Sequence, residues 1–229
     1  MAELGYIKTN FDELRAEIDE LSRLHGREVK LVAVTKSGSD EELLELVRSG
    51  ALDIGENRPG ELRRRGDLLR EAGLTPTLHE IGNLQRNKVK LIIESVALIH
   101  SLDNMALALE IDKQATKIGR RVPVLIEVNS ANEAQKDGVC PDDVEDFFLK
   151  VRELAGISVA GLMTMGPVCD DPEEIRPYFK LTRELFDRLN RTYGFEGEVL
   201  SMGMSDSYRV AIEEGSTLVR VGRKLFNKR

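Results

Sequence analysis

The chain has 229 residues, 41% of them hydrophobic, with 33 Lys and Arg against 40 Asp and Glu, for a formal net charge of −7. That length and apolar content suffice for one barrel-sized core without a disulfide framework, and the negative balance opposes non-specific attraction to nucleic-acid phosphates. The two cysteines, Cys140 and Cys169, read as reduced cytosolic thiols, and the three histidines, His25, His79 and His100, show no zinc-ligand spacing.

In chain order, Met1 to Phe11 lacks the charged and apolar regions of a secretory leader, and no run reaches about 18 apolar residues, so the expected address is the cytoplasm, with no membrane partner. Asn10 and Glu13 have the spacing of a capping box, and Phe11, Leu14, Ile18 and Leu21 fall on one face of a helix that Gly26 ends. This predicts an amino-terminal helix packed outside the main body. The first strand is placed at 31–35, apolar at consecutive positions as in a strand buried on both faces, with Lys36 directly after it. Further strands are placed at 51–55, 77–81, 97–101, 122–128, 158–164, 197–202 and 217–221. Helical patterns fall near 39–49, 59–72, 86–95, 103–118, 141–155, 172–192 and 205–214. The run Arg63, Arg64, Arg65 alternates with acids and reads as a solvated helix face. Eight strand and helix alternations predict an α/β fold class and a closed (β/α)8 TIM-type barrel, with an open doubly wound sheet as the alternative. No Pro-rich or Ser-rich linker divides the chain, so 1–229 reads as one domain.

Barrels of this kind gather functional groups at the carboxyl ends of their strands. Lys36 and Ser37 follow the first predicted strand, Gly55-Glu56-Asn57 the second, Gly82-Asn83-Leu84-Gln85 the third and Asn129 the fifth. Ser201-Met202-Gly203-Met204-Ser205 follows the seventh and Gly222-Arg223 the eighth. A hydroxyl, a flexible glycine and a helix start near Ser205 and Asp206 suit the phosphate site that barrels build from their last two loops, although glycines also serve simply to turn the chain. A lysine at a strand end is commonly solvated. In low-dielectric surroundings its ammonium form is disfavoured, which leaves an amine able to attack an aldehyde.

The runs Val32-Ala33-Val34-Thr35-Lys36, Gly55-Glu56-Asn57, Ile81-Gly82-Asn83-Leu84-Gln85-Arg86-Asn87-Lys88, Gly161-Leu162-Met163-Thr164-Met165, Leu200-Ser201-Met202-Gly203-Met204-Ser205-Asp206 and Val219-Arg220-Val221-Gly222 closely resemble the pyridoxal phosphate homeostasis protein family. The resemblance implies a fold-type III pyridoxal phosphate protein, a single-domain relative of the alanine racemase barrel. Such a protein carries pyridoxal 5'-phosphate as an imine on Lys36 and regulates its supply, with indirect effects on amino- and keto-acid metabolism. It further implies that Asn57 lies beside the ring, that Ser201 and the backbone at Gly222 and Arg223 hold the phosphate, that Met204 is a cofactor contact, and that Arg220 faces the pyridine nitrogen. A guanidinium there opposes protonation of the ring and makes it a poorer electron sink; pairing of Arg220 with Glu213 or Glu214 would remove that effect.

Alanine racemases bring a catalytic tyrosine from a further domain, whereas this sequence stops soon after its last predicted strand, and Tyr208 reads as packing or phosphate support. The expectation is therefore a cofactor carrier, a monomer or weak dimer, with apo-enzymes as recipients. A low-efficiency amino-acid racemase or an imine-forming lyase is the second reading, and a barrel binding another phosphate compound the third. Glu133, Lys136 and Gly138 resemble a family loop after strand five, where Lys136 is a candidate secondary cofactor contact. The chain departs from the family pattern at Arg58-Pro59-Gly60, at Glu80 where an aromatic residue is usual, at Asn83, and at Arg223 where a small hydroxyl residue is usual.

Overall fold

Strands that read as uninterrupted apolar runs are covered on both sides, and the computed structural model shows by what. It describes residues 4–133 and 135–228; of the expected domain span, 1–3, 134 and 229 lie outside the described residues. Eight strands, β1 (Lys30–Val34), β2 (Asp53–Glu56), β3 (Thr77–Glu80), β4 (Leu98–Leu102), β5 (Val122–Glu127), β6 (Ile157–Met163), β7 (Val199–Ser201) and β8 (Leu218–Val221), pair in sequence order, all parallel, and β8 returns to β1. The sheet closes, so the open-sheet alternative is excluded. Inside the barrel Val32, Leu98, Leu125, Met163 and Leu218 form a buried layer, while larger apolar clusters fill the space between strands and helices.

The helices are α1 (Gly5–Leu24), α2 (Asp40–Arg48), α3 (Pro59–Glu71), α4 (Val89–Ile92), α5 (Met105–Lys117), α6 (Val144–Val151), α7 (Arg176–Tyr193), α8 (Tyr208–Glu213) and α9 (Arg223–Phe226). Ser39 caps α2 in a reciprocal capping box with Glu42, and Pro59 opens α3 at its first turn, where a missing N–H costs nothing. No helix among the described residues is long and apolar enough to cross a membrane.

Three sequence expectations need correction. Asn10 does not cap α1: the helix already runs from Gly5, because its buried face extends back to Ile7, and the buried Asn10 amide instead donates to the carbonyls of Leu225 (3.1 Å) and Asn227 (3.0 Å). The helix expected from Ser205 begins at Tyr208, after a turn in which the Met204 N–H donates to Ser207 Oγ. The pattern near 86–95 yields a 3₁₀ turn, Arg86–Lys88, followed by the single-turn α4.

Candidate functional site

The expected site residues fall on β7, β8, β1 and β2 or in the loops after them, four neighbours around the closed sheet. Gly222 lies against the end of β1, where an added Cβ would stand 3.0 Å from the Val34 carbonyl oxygen, so the turn after β8 sits beside the turn bearing Lys36. On the other side the Thr35 N–H donates to the Gly55 carbonyl (3.1 Å), which brings the Asn57 loop alongside. Lys36, Asn57, Gly222 and Arg223 therefore share one arc of the rim.

Lys36 itself is exposed. The low-dielectric surroundings expected around it are not found, because the chain leaves the barrel at buried Thr35 and places Lys36 and Ser37 in an exposed turn over the rim. What holds that turn is Arg65, which the sequence analysis assigned to a solvated face and which is in fact 7% exposed. Its Nη1 donates to the Thr35 carbonyl (2.5 Å) and to Glu56 Oε1 (2.6 Å), and its Nη2 to the Gly38 carbonyl (2.6 Å). One guanidinium thus fixes the backbone on both sides of Lys36. The Thr35 hydroxyl also donates to Glu56 Oε1. Arg64 keeps the expected surface position, paired with Asp40 and Glu61.

Arg220 is 4% exposed and lies inside the barrel. Its Nη1 donates to the Ser201 carbonyl (3.0 Å) and hydroxyl, and its Nη2 to the Thr164 carbonyl (3.2 Å). Glu213 and Glu214 pair instead with Arg176, so the pairing that would have removed its charge effect does not occur. Burial lowers the Arg220 pKa to about 10, with Glu127 acting the other way, and the side chain stays charged at neutral pH.

Ser201 is fully buried, and its hydroxyl is engaged by Arg220 and by His100 Nδ1 (3.2 Å). That hydroxyl, expected to contact a phosphate, lies within the barrel interior. His100 Nε2 in turn meets His79 Nδ1 at 3.0 Å, and His79 Nε2 meets Asp53 Oδ1 at 3.0 Å. Burial first, then the nearby His79 and Arg220, hold His100 well below the usual imidazole range, so it is neutral. The result is a continuous polar chain, Asp53–His79–His100–Ser201–Arg220, through the barrel interior. Sequence reasoning missed it because it asked only whether histidines were spaced as metal ligands. The available signal was a histidine inside each of two strands otherwise built for burial.

The loop after β7 is tied to β8 by the Arg220 N–H donating to the Gly203 carbonyl (3.1 Å). Gly203 has φ +91°, and a side chain there would run into Ala211 and Tyr208. Met204 is 39% exposed, and exposed Arg223 forms an ion pair with Asp206. Tyr208, 1% exposed, donates its hydroxyl to Glu17 on α1 (2.6 Å) and accepts from Lys224 (2.8 Å), so it ties the outer helices together as the packing reading anticipated.

Asn57 and the departures Arg58, Pro59 and Asn83 bound a hollow of about 600 Å³ on the neighbouring side of the rim. Asn83 reaches across to Asp137 (2.8 Å), joining the loops after β3 and β5. In the latter loop Lys136 pairs with Glu133 (2.7 Å). Glu80 is 0% exposed; its Oε1 accepts from the Gly82 N–H (3.2 Å), and its Oε2 has no partner.

Residues 9–228 of this closed parallel barrel match the family model of the alanine racemase N-terminal domain, which defines its class. Within the class, the "Pyridoxal phosphate homeostasis protein" of Aquifex aeolicus is 44% identical over 200 residues, covering 87% of each chain. The chain belongs to the pyridoxal phosphate homeostasis protein family. A solved structure from Bifidobacterium adolescentis, described as an unknown protein, superposes with a TM-score of 0.90 at 33% identity over 98% of this chain and 96% of that one. PipY of Synechococcus elongatus PCC7942, solved with PLP bound, gives a TM-score of 0.85 at 28% identity over 96% of this chain and all of that one.

Proposed function

We propose that this chain binds pyridoxal 5'-phosphate, carries it as an imine on Lys36 and regulates its supply to apo-enzymes, from the cytoplasm, as a single domain spanning 1–229. The carrying observation is the juxtaposition at the rim: a primary amine in a turn braced by Arg65, flanked by the Gly222 turn on one side and the Asn57 loop on the other, above a buried guanidinium. The residues fit such a group. Gly222 leaves its backbone open where a Cβ would crowd Val34, and Gly203 turns the preceding loop through a conformation that favours glycine. When bound, the cofactor supplies an aldehyde for attachment and a pyridine ring as an electron sink. Lys36 supplies the attacking amine, with loss of one water, and its solvent exposure gives the aldehyde direct access. Arg220, fixed by Ser201 and Thr164, presents a permanent charge that disfavours protonation of a facing ring nitrogen and so weakens the sink. Tyr208, committed to Glu17, is not available as a proton donor at the rim, which favours binding over turnover.

Borohydride reduction of the full chain after incubation with pyridoxal phosphate should add one cofactor mass at Lys36, and Lys36→Ala should lose that label and the visible absorption band by at least about tenfold. Labelling of wild type and variant to the same extent, or of neither, would overturn the proposal. Arg220→Gln or Arg220→Glu should shift the bound cofactor's absorption more than Arg223→Ala, since Arg223 pairs with Asp206 in solvent. Identical spectra for the Arg220 and Arg223 variants would remove the assignment of Arg220 to the ring nitrogen.

A further inference from the structure

At the rim, the residues after β5 and β6 line a cavity of about 200 Å³ away from the arc that bears Lys36, Asn57 and Gly222. Its lining includes Glu127, Ser130, Lys136, Asp137 and Met165. The walls are built rather than loose. The Asn129 amide donates to the carbonyls of Glu133 (2.8 Å) and Lys136 (3.2 Å), Ser130 Oγ contacts Thr164 Oγ1 at 2.9 Å, and Gly138 packs so closely on Asn129 that a Cβ would stand 2.7 Å from its nitrogen.

Glu127, the last residue of β5, is 7% exposed, and among the described residues its carboxyl has neither a hydrogen-bond nor an ion-pair partner. Its environment does not supply one. Burial, Asp103 after β4 and Asp137 in the loop all disfavour its charge, and only Arg220 on β8 favours it, so its pKa is raised to about 7. Arg220 makes no direct hydrogen bond or ion pair to it; its Nη donors go instead to Ser201 and Thr164. Lys136, the cation in the cavity wall, is taken by Glu133. The Glu127 side chain lines the cavity without a protein donor, and the complement to such a carboxylate is a compact group with several N–H donors and a positive charge.

We propose that this cavity binds a small primary-ammonium compound, its ammonium group held between Glu127 and Asp137. The space suits an organic cation of a few heavy atoms. Lys136, with Glu133 as its resting partner, stands where a ligand carboxylate would meet it, so the shared ammonium chemistry can come from a simple amine or from an amino acid. The binding form of Glu127 is the carboxylate, and affinity therefore rises with pH through about 7 and levels off while the ligand ammonium remains charged.

The test is an NMR titration of the ¹⁵N-labelled full-length chain, treated with pyridoxal phosphate and borohydride so that no added amine can exchange at Lys36. The inference does not rest on that cofactor: a sample that gains no mass on reduction counts against the proposed function alone, and the titration still reads the cavity. Methylammonium should give saturable shifts at the amides of Glu127, Ser130 and Asp137, and tetramethylammonium, which has no N–H, should not. Glu127→Gln should weaken methylammonium binding at least about tenfold, the loss of one charged hydrogen bond, and exposed Asp137→Asn should weaken it several-fold without touching the core. Glycine binding tighter than methylammonium, with the difference lost in Lys136→Gln, identifies amino acids as the ligand class. Glycine binding no tighter identifies simple amines. Equal shifts from tetramethylammonium, or affinity unchanged in both acid variants, overturns the site.

Discussion

Arg65→Ala should lower the folding free energy by about 3–5 kcal/mol, read as a shift of the urea unfolding midpoint, because it leaves a buried carboxylate without its counter-ion. Arg65 and Glu56 are 7% and 2% exposed and stand 2.6 Å apart, so water does not replace the lost partner. Glu56 is also the Cα partner of Glu80 across β2 and β3, and without Arg65 two neighbouring acids share a buried face with no cation between them. The same substitution frees the carbonyls of Thr35 and Gly38. Removing both charges, as Arg65→Met with Glu56→Gln, should restore more than half of the lost stability, since no charge is then left buried and the glutamine carbonyl can still accept from the Thr35 hydroxyl. The double variant still lacks the brace on the Lys36 turn. Its rate of pyridoxal phosphate uptake should therefore stay several-fold below wild type while the mass added at saturation is unchanged. An Arg65→Ala protein within about 1 kcal/mol of wild type, the range of an exposed ion pair, would show that the clamp carries no weight.

Glu80→Gln should gain stability relative to wild type as pH rises, by roughly 2–3 kcal/mol between about pH 5.5 and 8.5. Burial, reinforced by Glu56 and opposed by the Gly82 N–H, pushes the folded-state pKa of Glu80 up to about 8 from the ordinary 4.5. The folded chain therefore keeps this proton across a range where the unfolded chain has already released it. Folding takes up a proton in that window, so the contribution of Glu80 to stability is fully present below about 4.5 and declines as pH rises through 8. Glutamine has the same shape and cannot ionise, and its carbonyl can still accept from Gly82. Denaturant unfolding of both proteins at the two pH values isolates the effect, because any pH-independent cost of the amide cancels. Parallel pH profiles for wild type and variant would show that Glu80 titrates in the folded state as it does in solvent.

The barrel was legible because its strands are covered on both faces and so read as apolar runs at regular intervals. Each strand was placed within a few residues, and the closed sheet joins them in the expected order. The rim motifs were legible too, since Lys36, Asn57, Gly203 and Gly222 each follow a strand directly or within a residue or two. Charged positions were less readable. Arg63, Arg64 and Arg65 look alike along the chain, yet Arg64 meets solvent-exposed acids while Arg65 enters the core, a difference set by Glu56 and the carbonyls of Thr35 and Gly38 opposite it. Asn10 looked like a helix cap for the same reason, since its true acceptors come from the far end of the sequence.

By itself, then, the order of residues determined the number and succession of strands and the placing of the amine after the first of them, because periodicity and strand ends are local properties. Tertiary structure alone decided which polar groups are buried and with whom: Arg65 with Glu56, His79 with His100, and Arg220 with Ser201. A buried polar group is tolerable only when a donor or acceptor meets it, and in a closed parallel barrel that partner usually comes from another strand or the helix laid against it, at a distance in sequence that no local pattern records.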